Sequence, residues 1–378
     1  MKKFFWFGIL GLFLFEIANV YFIMPMPGSQ RMNSIDLAYF LYKWRWIFRG
    51  LFGVMLIAGL VKGNWKRKWV PVIPLLLLGA VIYMANFKMA ADAMFKQPHK
   101  VVMADTLTNK IDKDRLIIGV EINGEAKAYP VQLLGYHHHV QDTVGGKPVL
   151  VTYCTVCRTG RVFEPIVNGK HETFRLVGMD HFNAMLEDKT TKSWWRQATG
   201  EAIAGKLKGQ KLPEVLSSQT SLRQWLVLHP SSTIMQPDAA FTKSYDSTFR
   251  YESGKSRNSL TGTDSISWND KAWVAGIKTS TGSKAYDWQT LLKKRLIQDQ
   301  VKTTDILLVV ANDNKSFFAF EFPAVSPVAI TNDTLFINNR HFRIDGKGID
   351  TAAALKPVPV YQEFWHSWRT FHPATGKY

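Results

Sequence analysis

Residues 119–164 read GVEINGEAKAYPVQLLGYHHHVQDTVGGKPVLVTYCTVCRTGRVFE, and residues 276–321 read GIKTSTGSKAYDWQTLLKKRLIQDQVKTTDILLVVANDNKSFFAFE. With a constant offset of 157 and no gap, twelve of the 46 positions are identical. A second similarity relates the Trp-x-x-x-His-Pro motifs that begin at Trp225 and Trp368. Because an internal repeat defines the architecture of a chain, residues 105–378 are predicted to form one globular region of two related halves.

The residue pattern within each half is typical of antiparallel strands. Leu116–Ile122 alternates and is followed by Asn123 and Gly124, which are a strong signal for a hairpin turn. Pro148–Tyr153 reads as a compact strand, and Trp288–Leu296 reads as a helix in the second half. The prediction is an α+β fold in which three N-terminal transmembrane helices precede a mostly antiparallel, internally duplicated, two-lobed domain.

Three apolar stretches near the N-terminus carry the membrane prediction. Phe4–Met24 has the roughly 20 residues that a spanning helix needs. Trp46–Val61 is shorter and includes Arg49, and Trp69–Phe87 contains two early prolines. Lysines precede the first stretch, and a basic loop follows the second. The positive-inside rule then places the N-terminus in the cytoplasm and residues 89–378 outside it, in an integral protein of the cell membrane.

The formal net charge of +17 first suggests a nucleic-acid partner, but the distribution of charge argues against one. Residues 1–68 hold ten lysines and arginines against two acidic residues, and these basic residues flank the apolar stretches. Membrane topology therefore explains them. The lipid bilayer is the expected partner, no nucleic acid is expected, and the substrate or partner protein is left open.

The domain prediction follows chain order. Residues 1–88 form a membrane anchor with helices at about 4–24, 46–61 and 69–87, and residues 89–104 form a linker. Residues 105–261 form the first half, and residues 262–378 form a degenerate second half. Glu16 lies within the first predicted span, where a carboxylate is either functional or part of helix packing, and we favour packing.

The chain has two cysteines, Cys154 and Cys157, and both lie in one C-x-x-C motif of the first half. At the offset of 157 they align with Ala311 and Asn314, and the His137–His139 run aligns with residues that are not histidines. Residues needed only for the fold should recur in both copies. The cysteines and histidines are therefore candidates for chemistry, although drift after duplication would explain the same difference.

The local setting of the cysteines favours a metal knuckle. The pair separates two predicted strands, whereas a thioredoxin-like pair opens a helix. Two thiolates with imidazole suit copper, zinc or iron, and a closed site needs about four ligands. One copper, zinc or iron ion is therefore the expected cofactor, and no nucleotide cofactor is expected because its fingerprints are missing. The predicted metal ligands are Cys154, Cys157, His139, His137 and His181.

Two other functions remain open for the same motif. Cys154 and Cys157 suit a thiol–disulfide oxidoreductase, for redox chemistry without a metal. An extracytoplasmic location also allows a structural disulfide in a non-catalytic binding or assembly module. Whether the chain is an enzyme stays open. The residues expected to line a cleft at the site are Tyr153, Arg158, Trp195, Arg196, Gln197 and Glu201.

Several motifs together resemble the bacterial domain-of-unknown-function family 3179. The motifs that carry the resemblance are Gly124–Pro130, Val151–Cys157, Ser193–Trp194 with Gly200–Gly205, and Trp225 with His229-Pro230. The resemblance covers roughly residues 105–378 and implies no particular reaction. This chain has Arg158 where the more usual pattern is C-x-x-C-G, and His181 stands where relatives often have small polar residues.

Overall fold

The computed structural model describes residues 1–256, 258–323 and 326–378. Its α-helices are α1 Lys2–Tyr21, α2 Ile35–Lys43, α3 Arg45–Val61, α4 Val72–Tyr83, α5 Ala91–Met94, α6 Val131–His137, α7 Leu222–Leu228, α8 Arg250–Ser253, α9 Trp288–Lys294 and α10 Trp365–Phe371. Short 3-10 or π turns occur at Ser29–Arg31, Met84–Lys88 and Ala239–Ser244.

The strands form many small sheets. They are β1 Met103–Ala104, β2 Leu116–Ile122, β3 Glu125–Pro130, β4 His139–Val144, β5 Lys147–Cys154, β6 Thr159–Phe163, β7 Ile166–Val167, β8 Lys170–His171, β9 Phe174–Asp180, β10 Asn183–Asp188, β11 Trp194–Arg196, β12 Ala202–Ala204, β13 Ser218–Ser221, β14 Thr233–Met235, β15 Trp273–Lys278, β16 Ser283–Asp287, β17 Leu296–Val301, β18 Thr304–Val310, β19 Phe317–Glu321, β20 Val328–Thr331, β21 Thr334–Ile337, β22 Arg340–Arg343, β23 Lys356–Pro357, β24 Val360–Phe364 and β25 Gly376–Lys377.

The chain divides into two compact units. The helix–sheet unit comprises Met1–Lys96, Thr173–Arg196 and Glu201–Lys211. The repeat unit comprises Gln97–Glu172, Gln197–Gly200 and Leu212–Tyr378. This division follows contacts in space, and the domain boundaries given above in chain order stay a prediction.

The helix–sheet unit packs its N-terminal helices closely and places them on a four-stranded sheet. A Cβ atom on Gly59 of α3 would lie 2.1 Å from the backbone nitrogen of Phe5 in α1, so only glycine allows this approach. The sheet has the order β12-β11-β10-β9. Its Trp194 packs against Tyr39 and Tyr42 of α2, and this contact joins helices and sheet in one core.

The prediction of three membrane-spanning helices is wrong. Over the described residues, α1 is the one helix long and apolar enough to cross a membrane, and an N-terminal signal sequence passes the same test. Helices α2 and α3 would add another span only if they acted as one, although they bend by 61°. The third predicted span is a shorter apolar helix, Val72–Lys88.

Helix length and polar pairing explain this difference. The 17 residues of α3 extend about 25 Å at the α-helical rise, which is less than the roughly 30 Å of a bilayer core. Hydropathy also misses the ion pair between Arg49 of α3 and Glu16 of α1, at 2.7 Å. Asn86 completes this polar group by accepting from Arg49 and donating to Glu16. In the third stretch, α4 begins only after Pro71.

The two halves of the repeat unit pair their strands in the same register. In β2 and β3, Ile118 pairs with Tyr129, and in β15 and β16, Ala275 pairs with Tyr286. The meanders β4-β5-β6 and β17-β18-β19 also correspond, and α6 and α9 have equivalent bounds. Residues that differ by 157 in number therefore occupy equivalent places in the two halves.

A tryptophan covers a glycine in each half. A Cβ atom on Gly119 would lie 2.4 Å from the ring of Trp225, and one on Gly276 would lie 2.2 Å from the ring of Trp368. The space taken by each indole ring explains why both halves keep glycine there. The histidines that follow these tryptophans stack on them, with ring centroids 4.0 and 3.9 Å apart.

The C-terminal elements of the second half reach the cysteine turn of the first half. Strand β24 pairs with β15 of its own half. At its end, the backbone N–H of Phe364 donates to the carbonyl oxygen of Cys157, at 3.0 Å. Helix α10 starts at the next residue, so its first turn lies beside the cysteines.

Candidate functional site

The two cysteines lie side by side in a buried turn. Cys154 is the last residue of β5 and pairs with Thr159 at the start of β6. Both cysteines are thiols with no exposed surface, and a hydrogen bond joins their side chains. The structure thus brings Cys154 and Cys157 together in one buried turn.

Gln197 holds the two strands that carry this turn. Its side-chain amide donates to the hydroxyl of Thr152 in β5 and to the carbonyl of Thr159 in β6, each at 2.9 Å. Gln197 is almost fully buried, so water does not compete for these bonds. It is the predicted cleft residue that most directly supports the geometry of the thiol turn.

Helix α10 and strand β24 supply polar groups next to Cys157. A hydrogen bond links Ser367 to Cys157, and the Ser367 hydroxyl donates to Glu363 at 3.0 Å. Glu363 forms a buried ion pair with Arg161. Burial raises the pKa of the Cys157 thiol well above its usual value, contact with Cys154 raises it further, and Ser367 lowers it. The thiol therefore begins a chain of hydrogen bonds that ends at the Glu363 carboxylate, which Arg161 pairs.

Lys271 and His366 hold the backbone of the turn. The ammonium group of Lys271 donates to the carbonyl of Val156 at 2.8 Å, and Nε2 of His366 lies 3.3 Å from the same oxygen. Burial lowers the pKa of Lys271, against the opposing effect of the Cys157 and Cys154 charges. Burial, assisted by the charge of Lys271, lowers the pKa of His366 to about 4. Lys271 thus brings a cation to the cysteine turn.

Arg158 follows the second cysteine in a left-handed backbone conformation, with φ of +57°. This conformation favours glycine, so an arginine is unfavourable at this position. The buried guanidinium group stacks on Trp273, 3.6 Å from the ring centroid. It also donates to Gln362 at 2.9 Å and to the carbonyl of Tyr251. Three separate contacts therefore stabilise an arginine in an unfavourable backbone conformation.

Two buried donors beside the turn lack a hydrogen-bond partner among the described residues. They are the hydroxyl of Tyr153 and Nη2 of Arg158. Burial raises the pKa of Tyr153, the charge of Arg158 lowers it, and the charge of Cys154 raises it, so these groups lie within electrostatic reach of one another. Buried polar groups are nearly always paired, so these two donors are exceptions among the described residues.

The histidines predicted as metal ligands have hydrogen-bond partners outside the cysteine turn. Nε2 of His137 is 2.8 Å from the Tyr245 hydroxyl, and Nδ1 of His139 is 3.1 Å from the side-chain amide of Gln97. His181 belongs to the helix–sheet unit. No group of three or more histidine, cysteine or acidic residues suited to a metal occurs within residues 1–256, 258–323 and 326–378. The residues present therefore do not fit a closed metal site.

The other predicted cleft residues lie in the helix–sheet unit. Trp195 is buried in β11, where its indole donates to Asp188 at 2.9 Å. Arg196 and Glu201 line a cavity of about 390 Å³ together with His181. Asp180 organises this cavity by accepting from His181 at 2.6 Å and from Arg196 at 2.7 Å.

Sequence reasoning did not identify Arg161, Lys271, Glu363 and Ser367 as site residues. Lys271, Glu363 and Ser367 lie in the second half and belong to no recognisable catalytic motif. The repeated Trp-x-x-x-His-Pro motif marks α10 as an equivalent of α7, and this was the available signal. It does not reveal that α10 faces the turn of the other half.

These observations define a class of protein, a repeated helix-and-strand unit with a buried dithiol turn that residues of both halves enclose. The chain belongs to the family described as Protein of unknown function (DUF3179), whose model matches residues 96–375. This match confirms the predicted resemblance. Comparisons with curated proteins and with solved structures found no match.

Proposed function

We propose that this chain is a membrane-associated thiol redox protein in which Cys154 and Cys157 alternate between a dithiol and a disulfide. The observation that carries the proposal is the hydrogen bond between the two buried thiols. Sulfurs within hydrogen-bond range of each other need little rearrangement to form an S–S bond. Each oxidation removes two electrons and two protons from the pair and transfers the electrons to an acceptor.

The polar groups around Cys157 support this role. A thiol reacts as its thiolate, so its proton needs a place to go. Ser367 bonds both Cys157 and Glu363, and it offers a route from the sulfur to a carboxylate. Arg161 keeps that carboxylate paired, and Lys271 supplies positive charge near the developing thiolate.

The N-terminal helix and its flanking charges support a location outside the cytoplasm as part of this proposal. Lys2 and Lys3 stand at the start of α1, and the positive-inside rule assigns that end to the cytoplasm. With α1 as the anchor, the repeat unit lies outside the cytoplasm. Thiol pairs in that compartment meet oxidising conditions, which suits reversible disulfide formation.

Metal binding stays a prediction with a narrower basis. Cys154 and Cys157 offer two sulfur ligands, whereas a closed site takes about four. His137 and His139 have other hydrogen-bond partners, as described above. The experiment below includes a metal measurement, because stoichiometric metal would favour this hypothesis over the redox cycle.

Thiol counting tests the proposed function. The full chain, purified in detergent, is equilibrated with mixtures of reduced and oxidised dithiothreitol. It is then alkylated under denaturing conditions, and mass spectrometry gives the number of alkylated cysteines. We expect both cysteines to lose and regain alkylation together, and Cys154→Ser or Cys157→Ser to abolish the transition. Ser367→Ala should slow oxidation, whereas Ser316→Ala, in the equivalent turn of the second half, should not.

Two results would count against the proposal. Thiols that stay alkylatable across the whole titration would show that the pair does not cycle. Elemental analysis of the same preparation provides the other test. One copper, zinc or iron ion per chain, lost in Cys154→Ser, would favour the metal hypothesis.

A further inference from the structure

A cavity of about 150 Å³ lies between the two halves of the repeat unit. The first half lines it with Gly119, Trp225 and Ser218 of β13. The second half lines it with Phe318 and Phe320 of β19. All three aromatic side chains are buried. An apolar cavity of about 150 Å³ can hold one benzene molecule, so this space suits a single six-membered ring.

The residue that corresponds to Ser218 in the second half is a tyrosine. Ser218 of β13 pairs with Gly119, and Tyr361 of β24 pairs with Gly276. These are the two glycines that the repeated tryptophans cover, so positions 218 and 361 correspond. Tyr361 is buried and packs with Trp368 in one apolar cluster. Serine has no ring to fill the equivalent space.

The neighbour of this tyrosine shows how much space is left. The guanidinium group of Arg161 stacks on the ring of Tyr361, 3.4 Å from its centroid. At the offset of 157, Phe318 takes the place of Arg161. Phe318 thus replaces an arginine of similar size, whereas Ser218 replaces a tyrosine. The volume that stays open beside Ser218 is therefore close to that of one phenol ring.

Charged side chains line the same cavity. Glu121 and Lys347 form an ion pair at 2.8 Å, and both are partly exposed, so they mark the solvent side. A ring without a polar substituent would take water from these groups and return no hydrogen bond. A hydroxyl group on the ring can donate to the carboxylate and accept from the ammonium group. The Tyr361 hydroxyl likewise donates to a carboxylate, that of Glu214, at 2.5 Å.

We propose that this cavity binds a small phenol, a single aromatic ring that carries a hydroxyl group. The ring takes the place that the Tyr361 ring fills in the other half, beside Trp225 and Phe318. Its hydroxyl group faces Glu121 and Lys347. The inference goes beyond the thiol redox function and does not depend on it, because none of the residues that carry it lies in the cysteine turn.

Fluorine NMR with 4-fluorophenol tests this inference. The full chain in detergent is titrated with the ligand, and the position and width of the ligand resonance are followed against a detergent blank. We expect saturable binding that an excess of p-cresol, the tyrosine side chain as a free molecule, displaces. Fluorobenzene lacks the hydroxyl group and should bind about tenfold more weakly.

Substitutions of Ser218 provide the decisive variants. Ser218→Tyr supplies the missing ring from within the chain, so it should abolish binding and raise the midpoint of urea unfolding. Ser244→Tyr adds the same ring at an exposed position and should leave both unchanged. Ser218→Val fills part of the space and should weaken binding by about tenfold. This smaller variant keeps the test decisive if Ser218→Tyr does not fold.

Three results would overturn the inference. The first is a wild-type chain that shows no saturable binding of 4-fluorophenol beyond the detergent blank. The second is equal binding in the wild type and in the Ser218 variants, which would place the ligand elsewhere. The third is equal affinity for fluorobenzene and 4-fluorophenol, which would show that the cavity does not select a hydroxyl group.

Discussion

The turn at 154–159 and the turn at 311–316 occupy equivalent places in the repeat unit but are stabilised in different ways. In the second half, Asp313 accepts hydrogen bonds from the hydroxyls of Ser221 and Ser316, both at 2.6 Å. In the first half, Val156 takes the place of that aspartate, and two thiols occupy the turn.

The difference shows how one scaffold supports two kinds of turn. A short carboxylate that accepts backbone and hydroxyl bonds is a common way to stabilise a tight turn from within. The cysteine turn lacks this device and depends on Lys271, Phe364 and other residues of the opposite half. Its own side chains are therefore available for chemistry.

The largest expected effect comes from breaking the ion pair beside the cysteine turn. Arg161→Met leaves Glu363 buried without its cation, so we expect a loss of about 3–5 kcal/mol in the free energy of unfolding. Urea unfolding followed by tryptophan fluorescence measures it. The equivalent positions in the other half are Phe318, at the offset of 157, and Thr220, at the offset of 143 that relates Trp225 to Trp368. Arg161→Phe with Glu363→Thr should therefore recover much of the loss. A single variant as stable as the wild type would contradict the prediction.

The second-largest expected effect is a loss of stability in acid, caused by His366 beside the cysteine turn. Burial holds the pKa of His366 at about 4 in the fold, below the ordinary value of 6.5. The unfolded chain therefore binds this proton more readily, so the contribution is complete above pH 6.5 and is lost as pH falls towards 4. At pH 5 the loss is about 2 kcal/mol. Urea unfolding at pH 7 and pH 5 measures it.

Substitution of His366 tests the assignment of this pH effect. His366→Gln should reduce the difference between pH 7 and pH 5. Part of the difference should remain, because burial also lowers the pKa values of His138 and His372 to about 4. The equivalent residue on α7 is the exposed Arg223, and Arg223→Gln should leave the pH difference unchanged. An unchanged difference in His366→Gln would contradict the assignment.

Removal of the Asp313 carboxylate should affect the stability of the fold but not the redox chemistry of the cysteines. Asp313→Ala takes away the acceptor for Ser221, Ser316 and the backbone N–H of Lys315. We expect a loss of about 1–2 kcal/mol in urea unfolding. Asp313→Asn keeps the shape and should lose less. The dithiothreitol titration should match the wild type, and a shifted titration would show that the two turns are coupled.

The smallest expected effect on stability is that of Arg158→Gly. Glycine relieves about 1–2 kcal/mol of left-handed strain, which offsets the lost contacts with Trp273 and Gln362. The free energy of unfolding should therefore change by less than about 1 kcal/mol. Thr155→Gly, at a residue without positive φ in the same turn, should lower stability instead. A large loss in Arg158→Gly would show that the arginine mainly stabilises the fold.

The sequence could predict the repeat because contacts within each half are local and occur in both halves. Tyr129 and Tyr286 are identical because each hydroxyl donates to an aspartate, Asp142 at 2.8 Å and Asp299 at 3.0 Å. Such repeated local contacts make the offset of 157 visible. Hydropathy failed for the N-terminal helices because it counts apolar residues and does not detect a bend or the pairing of Glu16 with Arg49.

Only part of the candidate site could be predicted from the sequence, for a related reason. The C-x-x-C motif is local, so Cys154 and Cys157 could be located from their spacing. Glu363 and Ser367 carry no motif, and they reach the turn only through the contact of β24 and α10 with the first half. Nearby histidines in the sequence looked like better partners, and the structure gives His137 and His139 hydrogen-bond partners in Tyr245 and Gln97.

Residues near the end of the chain enclose the cysteine turn, and this has a consequence for biosynthesis. Arg161 and Glu363 are 202 residues apart in the chain. The ribosome therefore completes the cysteine turn well before it adds the segment that covers it. In that interval both sulfurs face solvent, and small or large thiol reagents can reach them. The conditions that the growing chain meets therefore determine whether the pair is a dithiol or a disulfide when later residues enclose it.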